Sequence, residues 1–256
     1  MNGSLLRIAS LVPSLTELLF ALGLGPRVVA RTGFCVHPRE ARAVPKVGGT
    51  KDPDLAMLRA LAPTHLVVNV DENRREDVDA ARAFVPNVVV THPLAPIDNV
   101  ALFATFGEVF GCRTRADTLV RELHAALASV EDAMRGIARE RVLYLIWRKP
   151  WMTVSRGTYV SASLALVGWD TVPAASDARY PSVDEQDAAW SDAQRILLSS
   201  EPYAFRARDV REMKERHGKP VALVDGEWTS WYGVRAIDGM QALSRLRLTT
   251  EREYRP

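Results

Sequence analysis

The 256 residues are 47% hydrophobic and 25% charged, an ordinary globular balance. A chain of this length buries about 70–75% of its unfolded surface, so core volume does not limit it, and one large α/β domain or two lobes both fit. A net charge of +2 advertises no strongly basic face to nucleic acid, and no apolar run approaches the roughly 20 residues of a membrane-spanning helix.

Residues 7–12 (RIASLV) predict a strand. Ser14-Leu15-Thr16-Glu17 has capping-box spacing and opens a helix that stops near Gly23 and Gly25. A short strand follows at 28–31, then a helix at 54–61, a strand at 64–70 (THLVVNV), a helix at 76–84, a strand at 87–92 and a helix at 96–110. Residues 113–138 contain no Pro and only Gly136 near the end. Leu119, Leu123, Leu127, Val130, Met134 and Ile137 fall there at spacings of three and four, one continuous apolar stripe. About 25 residues at 1.5 Å rise give roughly 38 Å, enough to form a rigid spine between two βα halves. Beyond it, strands are predicted at 141–147, 195–199 and 220–224, and helices at 158–167, 206–216 and 235–246. The fold class is therefore α/β: two βα lobes with mainly parallel sheets, joined by one long backbone helix. The expected boundaries are 1–111 for the N-terminal lobe, 112–139 for the helix and 140–256 for the C-terminal lobe.

In open parallel sheets ligands sit beyond the carboxyl ends of the strands. The chemically loaded segments of this chain fall there: VPSLTE, RTGFCVHP (31–38), DENRRE, WRKPW (147–151), SEPYAF (200–205) and DGEWTSWYGVR (225–235). Trp, Tyr, Arg and Lys concentrated at one end of the strands predict a ligand cleft between the lobes, lined by aromatic faces and a few cations. The candidate ligand-binding residues in these and neighbouring segments are Thr32, Phe34, Cys35, His37, Lys51, Asn69, Trp147, Arg148, Lys149, Trp151, Tyr203, Trp228, Trp231, Tyr232 and Arg235.

Catalytic readings find little support. There is no GxSxG elbow, no HExxH and no Walker loop, and VGGTKD (47–52) has the wrong spacing for a phosphate loop. Cys35 and Cys112 allow one disulfide at most. In an extended segment Cys35 and His37 point the same way, as a nucleophile–base pair or as two metal ligands, although no third ligand stands nearby and a lone Cys and His are usually structural or incidental. Trp147 and Trp151 flank Arg148-Lys149-Pro150; they either wall a flat ligand whose oxygens meet Arg148 or Lys149, or pack the base of the second lobe. Trp228, Trp231 and Tyr232 lie in a Gly-rich polar loop, where ligand contact is the favoured reading. Ser14 and Glu17 read as a helix cap, and Arg74 to Asp77 as a solvated helix start.

RIASLVPSLTELLFALGLG resembles the opening of the cobalamin-binding and iron-chelate-binding proteins that feed ABC importers, the helical-backbone metal-receptor type. VPKVGGTKDPDLAMLRALAPTHLVV (44–68), RYPSVDEQ (179–186) and DGEWTSWYGVRAIDGMQAL (225–243) are similar to that family's later motifs in the same order. The resemblance implies a chelate held between two lobes with little hinge motion, no cofactor, and no enzymatic activity. It also implies docking to an ABC permease through one acidic residue on each lobe: Glu72 or Glu76 in the first, and Glu185, with Asp187 next, in the second.

A corrinoid is the expected ligand, with an iron–siderophore or haem behind it, and His37 or Cys35 is a candidate axial ligand of its metal. The resemblance implies a periplasmic protein. The stretch MNGSLLRIAS itself has no basic start, long apolar core or cleavage site, which reads as a soluble chain that is not exported. The alternatives are a cytoplasmic corrinoid or tetrapyrrole carrier and a chelatase-like enzyme. The expected oligomeric state is monomeric.

Overall fold

The computed structural model describes residues 6–252. Residues 1–5, read above as running without a leader into the first strand, lie outside the described residues. The chain divides into two compact units. The first takes the chain up to Pro93 together with Ala101–Leu119, and the second takes Leu94–Val100 together with the chain from Val120 onward.

The first unit is built on β1 (Ile8–Ser10), α1 (Pro13–Ala21), β2 (Val28–Arg31), α2 (Leu55–Ala60), β3 (His65–Asn69), α3 (Arg75–Ala81) and β4 (Asn87–Thr91). Its four strands form one sheet in the order β2-β1-β3-β4, and every pair is parallel. Ile8, Ala9, Leu66, Val67 and Val68 are buried, as expected of central parallel strands covered on both faces. α4 (Asn99–Val109) follows, with its first two residues in the second unit.

The predicted capping box is not formed. Val12 is the N-cap of α1, without a side-chain bond, and Pro13 supplies the first turn with its fixed φ. Thr16 turns its hydroxyl back to the Val12 carbonyl (2.9 Å) and the Ser10 hydroxyl (2.8 Å), and Ser14 Oγ is buried without a hydrogen-bond partner.

The long helix is α5 (Arg113–Ala133), 21 residues or about 32 Å. It is shorter than predicted because the chain leaves the helix ahead of Gly136, whose φ is +80°; the apolar stripe alone does not show that break. The helix begins within the first unit and ends within the second.

The second unit contains β5 (Glu140–Leu145), β6 (Trp151–Met152), α6 (Tyr159–Leu166), β7 (Trp169–Thr171), β8 (Ser182–Val183), α7 (Ala188–Asp192), β9 (Arg195–Ser199), α8 (Ala207–His217), β10 (Val221–Val224), α9 (Gly226–Ser230) and α10 (Arg235–Arg252). Its main sheet runs β10-β9-β5-β7, again all parallel, and β6 pairs antiparallel with β8. α10 extends well past the predicted end. Beyond Leu243 its buried stripe continues through Arg247 and Thr250, polar residues that an apolar count ignores. Arg247 is held there by Glu251 (2.6 Å) and the Ala138 carbonyl (2.9 Å), while its Nε is buried without a hydrogen-bond partner. The short elements β6, β7, β8, α7 and α9 carry too few residues to show a period in sequence.

Candidate functional site

In the first unit, the loops at the carboxyl ends of the strands are tied together by Asn73. Its Oδ1 accepts from the Asn69 amide (2.9 Å), and its Nδ2 donates to the carbonyls of Leu11 (3.3 Å) and Thr50 (3.0 Å). One side chain thereby joins the loops after β1 and β3 to the Gly-Gly-Thr loop. Asn69 is itself buried; it accepts from the Asp71 amide (2.8 Å) and reaches Thr91 Oγ1 at 3.4 Å. Lys51 Nζ donates to the Asp71 carbonyl (2.7 Å), and His92 stands 3.5 Å from the Asp71 carboxylate. Over this frame lies Phe34, 63% exposed, packed against Gly49.

Cys35 and His37 do not share a face. The segment is not extended: the Cys35 amide bonds the Thr32 carbonyl and the Val36 amide bonds the Phe34 carbonyl, so the chain turns between them. Cys35 is fully buried, its sulfur within hydrogen-bond reach of Thr16 Oγ1 at 3.1 Å and Thr32 Oγ1 at 3.2 Å. Burial pushes its thiol pKa up, against smaller opposing effects from those hydroxyls and Arg31. Cys35 is thus a structural thiol closed to an incoming metal, and Thr32, also fully buried, is its partner; neither meets the expectation of ligand contact. His37 is half-buried. Among the described residues no group of three or more His, Cys, Asp or Glu side chains converges in metal-ligating geometry.

In the second unit, Trp147 follows β5 and is 39% exposed, edge-on to Tyr203 with ring centroids 5.8 Å apart. Trp151 turns inward, stacked on Phe205 and edge-on to Trp190. Arg148 is engaged within the unit. It pairs with Asp209 (3.0 Å) and Glu212 (2.5 Å) and lies over the Trp151 ring, and the Glu212 carboxylate holds it firmly charged. Arg235 pairs with Glu227 at 2.8 Å and lies over Trp231. Arg148 and Arg235, both expected to meet a ligand's oxygens, are each paired with carboxylates of their own unit, and Lys149 is exposed.

The aromatic loop at 228–232 also differs from expectation. Trp231 and Tyr232 are buried, while Trp228 is half-buried. Trp231 Nε1 donates to Glu201 Oε1 at 2.9 Å, and Tyr232 packs edge-on against Tyr159. A buried Trp or Tyr needs a polar partner for one end, and sequence alone did not reveal that Glu201 was there. Behind them the fully buried Tyr144 hydroxyl meets Ser199 (2.9 Å) and Thr229 (2.6 Å), and burial pushes it up to about 12.

Asn73 and Glu201 were missed as site-building residues. Asn73 lay within DENRRE, marked as a chemically loaded strand-end segment, but was not itself singled out; an Asn just past a strand end was the available signal, since its short amide readily bonds nearby backbone. Of the docking candidates, Glu76 is exposed in the first turn of α3 and Glu72 is half-buried. Glu185 is exposed and paired with Arg216, whereas Asp187 is used as the N-cap of α7.

The profile of the family described as periplasmic binding protein matches residues 8–218. The vitamin B12-binding protein of Pectobacterium carotovorum subsp. carotovorum (strain PC1) is 20% identical over 239 residues, 93% of this chain and 86% of that protein. Many solved structures share the fold, among them the following two. The periplasmic vitamin B12-binding protein BtuF of Vibrio cholerae superposes with a TM-score of 0.82 at 17% identity, covering 96% of this chain and 97% of that one. The periplasmic heme-binding protein RhuT of Roseiflexus sp. RS-1, in apo form, gives 0.81 at 21% identity, covering 96% and 98%.

Proposed function

The chain belongs to the periplasmic binding protein family, and from that premise we propose that it is a non-enzymatic receptor for a corrinoid of the cobalamin type. It captures the corrinoid with its strand-end loops and, as a monomer outside the cytoplasmic membrane, delivers it to an ABC permease. Phe34 in the first unit and Trp147 in the second are exposed aromatic faces at strand-end loops that suit a large, partly flat ligand.

Charge is the observation that carries the choice between a corrinoid and haem, two of the ligand types named among similar proteins. The second unit's strand-end arginines, Arg148 and Arg235, are already neutralised by Asp209, Glu212 and Glu227. A ligand with anionic arms would have to take those cations from their partners. A corrinoid with neutral amide arms does not. Docking to the permease falls to Glu76 and Glu185, the more exposed acidic residues, with Glu72 as the alternative in the first unit.

The test is a thermal-melt screen with cyanocobalamin, cobinamide, haemin and ferric siderophores. At 100 times Kd a ligand that binds only the folded state adds about 2.7 kcal/mol, a rise of roughly 5–10 °C for a chain of this size. A rise with the corrinoids and a smaller one with haemin supports the reading; no rise with any corrinoid overturns it.

A further inference from the structure

Glu201 lies just beyond β9 and is fixed more firmly than a surface loop residue. Ser199 Oγ donates to its carbonyl at 2.6 Å. Its Oε1 takes two donors, Ser230 Oγ at 2.8 Å and Trp231 Nε1 at 2.9 Å. Gly226 makes room for it: a Cβ there would fall 2.3 Å from Glu201 Cγ. Among the described residues nothing hydrogen-bonds the second oxygen, Oε2, and it is not buried.

Among the described residues no cation pairs with this carboxylate. Arg235 is taken by Glu227, and Asp225 caps α9 through the Glu227 amide. Burial raises the Glu201 pKa, and the Glu227 and Asp225 charges add to the rise, against the two hydrogen bonds that lower it. The result is a positioned, under-compensated carboxylate with one oxygen locked and the other open. An ionised carboxylate can only accept hydrogen bonds, so a neutral N–H donor satisfies Oε2, whereas a second carboxylate adds a like charge.

We propose that Glu201 determines ligand specificity: its open oxygen accepts a hydrogen bond from a peripheral carboxamide of the bound chelate and rejects a chelate with a carboxylate at that place. This rests on the corrinoid reading above and adds the feature of the corrinoid that is recognised. A purely structural Glu201, present only to satisfy Trp231 and Ser230, would bring no such preference.

The experiment compares dicyanocobinamide, whose ring carries carboxamides, with cobyrinic acid, which carries carboxylates on the same ring. Affinities are measured at neutral pH for the wild type, Glu201→Gln and Glu201→Asp. Gln keeps an acceptor for Ser230 and Trp231 and turns an N–H donor outward; Asp keeps the charge and withdraws its reach. Wild type is expected to favour the amide by about 10- to 100-fold, the range of one hydrogen bond to a charged group. Glu201→Gln should remove most of that preference, chiefly by tightening the acid, and Glu201→Asp should still reject the acid while binding the amide more weakly. An unchanged ratio in Glu201→Gln, with both corrinoids still bound, overturns this assignment alone. Failure of the wild type to bind either corrinoid overturns the functional reading and the assignment with it.

Discussion

The two units are built from different aromatic residues. All six Trp and all six Tyr of the chain fall after residue 143, whereas all but Phe205 of its seven Phe lie before it. Phe packs without a polar obligation, but each buried Trp or Tyr brings an N–H or O–H that must find a partner. The second unit supplies those partners: Glu201 for Trp231, Glu140 for Trp169, the Asp184 carbonyl for Trp190, and Ser199 with Thr229 for Tyr144. The first unit instead fixes its strand-end loops with side-chain amides, those of Asn69 and Asn73. The difference teaches that the first unit's loops are tied chiefly through side-chain amides and the second unit's aromatics chiefly through carboxylates and hydroxyls, so the two should respond to different perturbations.

The largest effect is expected from Asn73→Ala. It removes three hydrogen bonds and leaves buried backbone groups unpaired, costing about 2–4 kcal/mol. Melting followed by circular dichroism should fall by roughly 5–15 °C; a fall of only a degree or two would remove Asn73 from its central place. Alkaline pH tests the second unit. An unfolded Tyr ionises near its ordinary value of about 10, while buried Tyr144 holds its proton to about 12. Stability is therefore intact below pH ~10 and declines as pH rises towards 12, by up to about 2–3 kcal/mol from this group. Denaturant midpoints at pH 9 and 11.5 should show the loss, and Tyr144→Phe should reduce it; an equal loss in the variant contradicts the assignment.

Smaller effects separate binding from folding. Phe34→Ala and Trp147→Ala, made at exposed rings, should each weaken corrinoid affinity about 5- to 20-fold and leave stability within about 0.5 kcal/mol. Since every Trp lies in the second unit, quenching of Trp fluorescence by ligand should shrink in Trp147→Ala and persist in Phe34→Ala. The smallest effect on the isolated protein is expected from Glu185→Ala. Its exposed pair with Arg216 contributes about 0–1 kcal/mol, so ligand affinity should hold while stimulation of the permease ATPase falls.

The regular fold was legible because its signals are periodic. The bounds of β2 and β9 coincide with the predicted strands at 28–31 and 195–199, and the stripe through Leu119, Leu123 and Val130 marks α5. Where polar residues take core positions the reading stopped short, as at Arg247 and Thr250 in α10. The site was legible only as a set of segments. A strand-end loop announces itself by composition, but which of its side chains turns outward depends on tertiary partners. Phe205 draws Trp151 inward, Glu201 draws Trp231, and Thr16 with Thr32 closes over Cys35. Each partner lies 15 or more residues away in the chain or belongs to another loop, except Thr32, and nothing in the local pattern identifies it.

Corrinoid capture is tested most directly by calorimetric titration of the purified protein with cyanocobalamin at neutral pH, beside a parallel titration with haemin. The account predicts saturable binding of one cyanocobalamin per chain and weaker binding of haemin. Saturation by haemin with no heat from cyanocobalamin would contradict it.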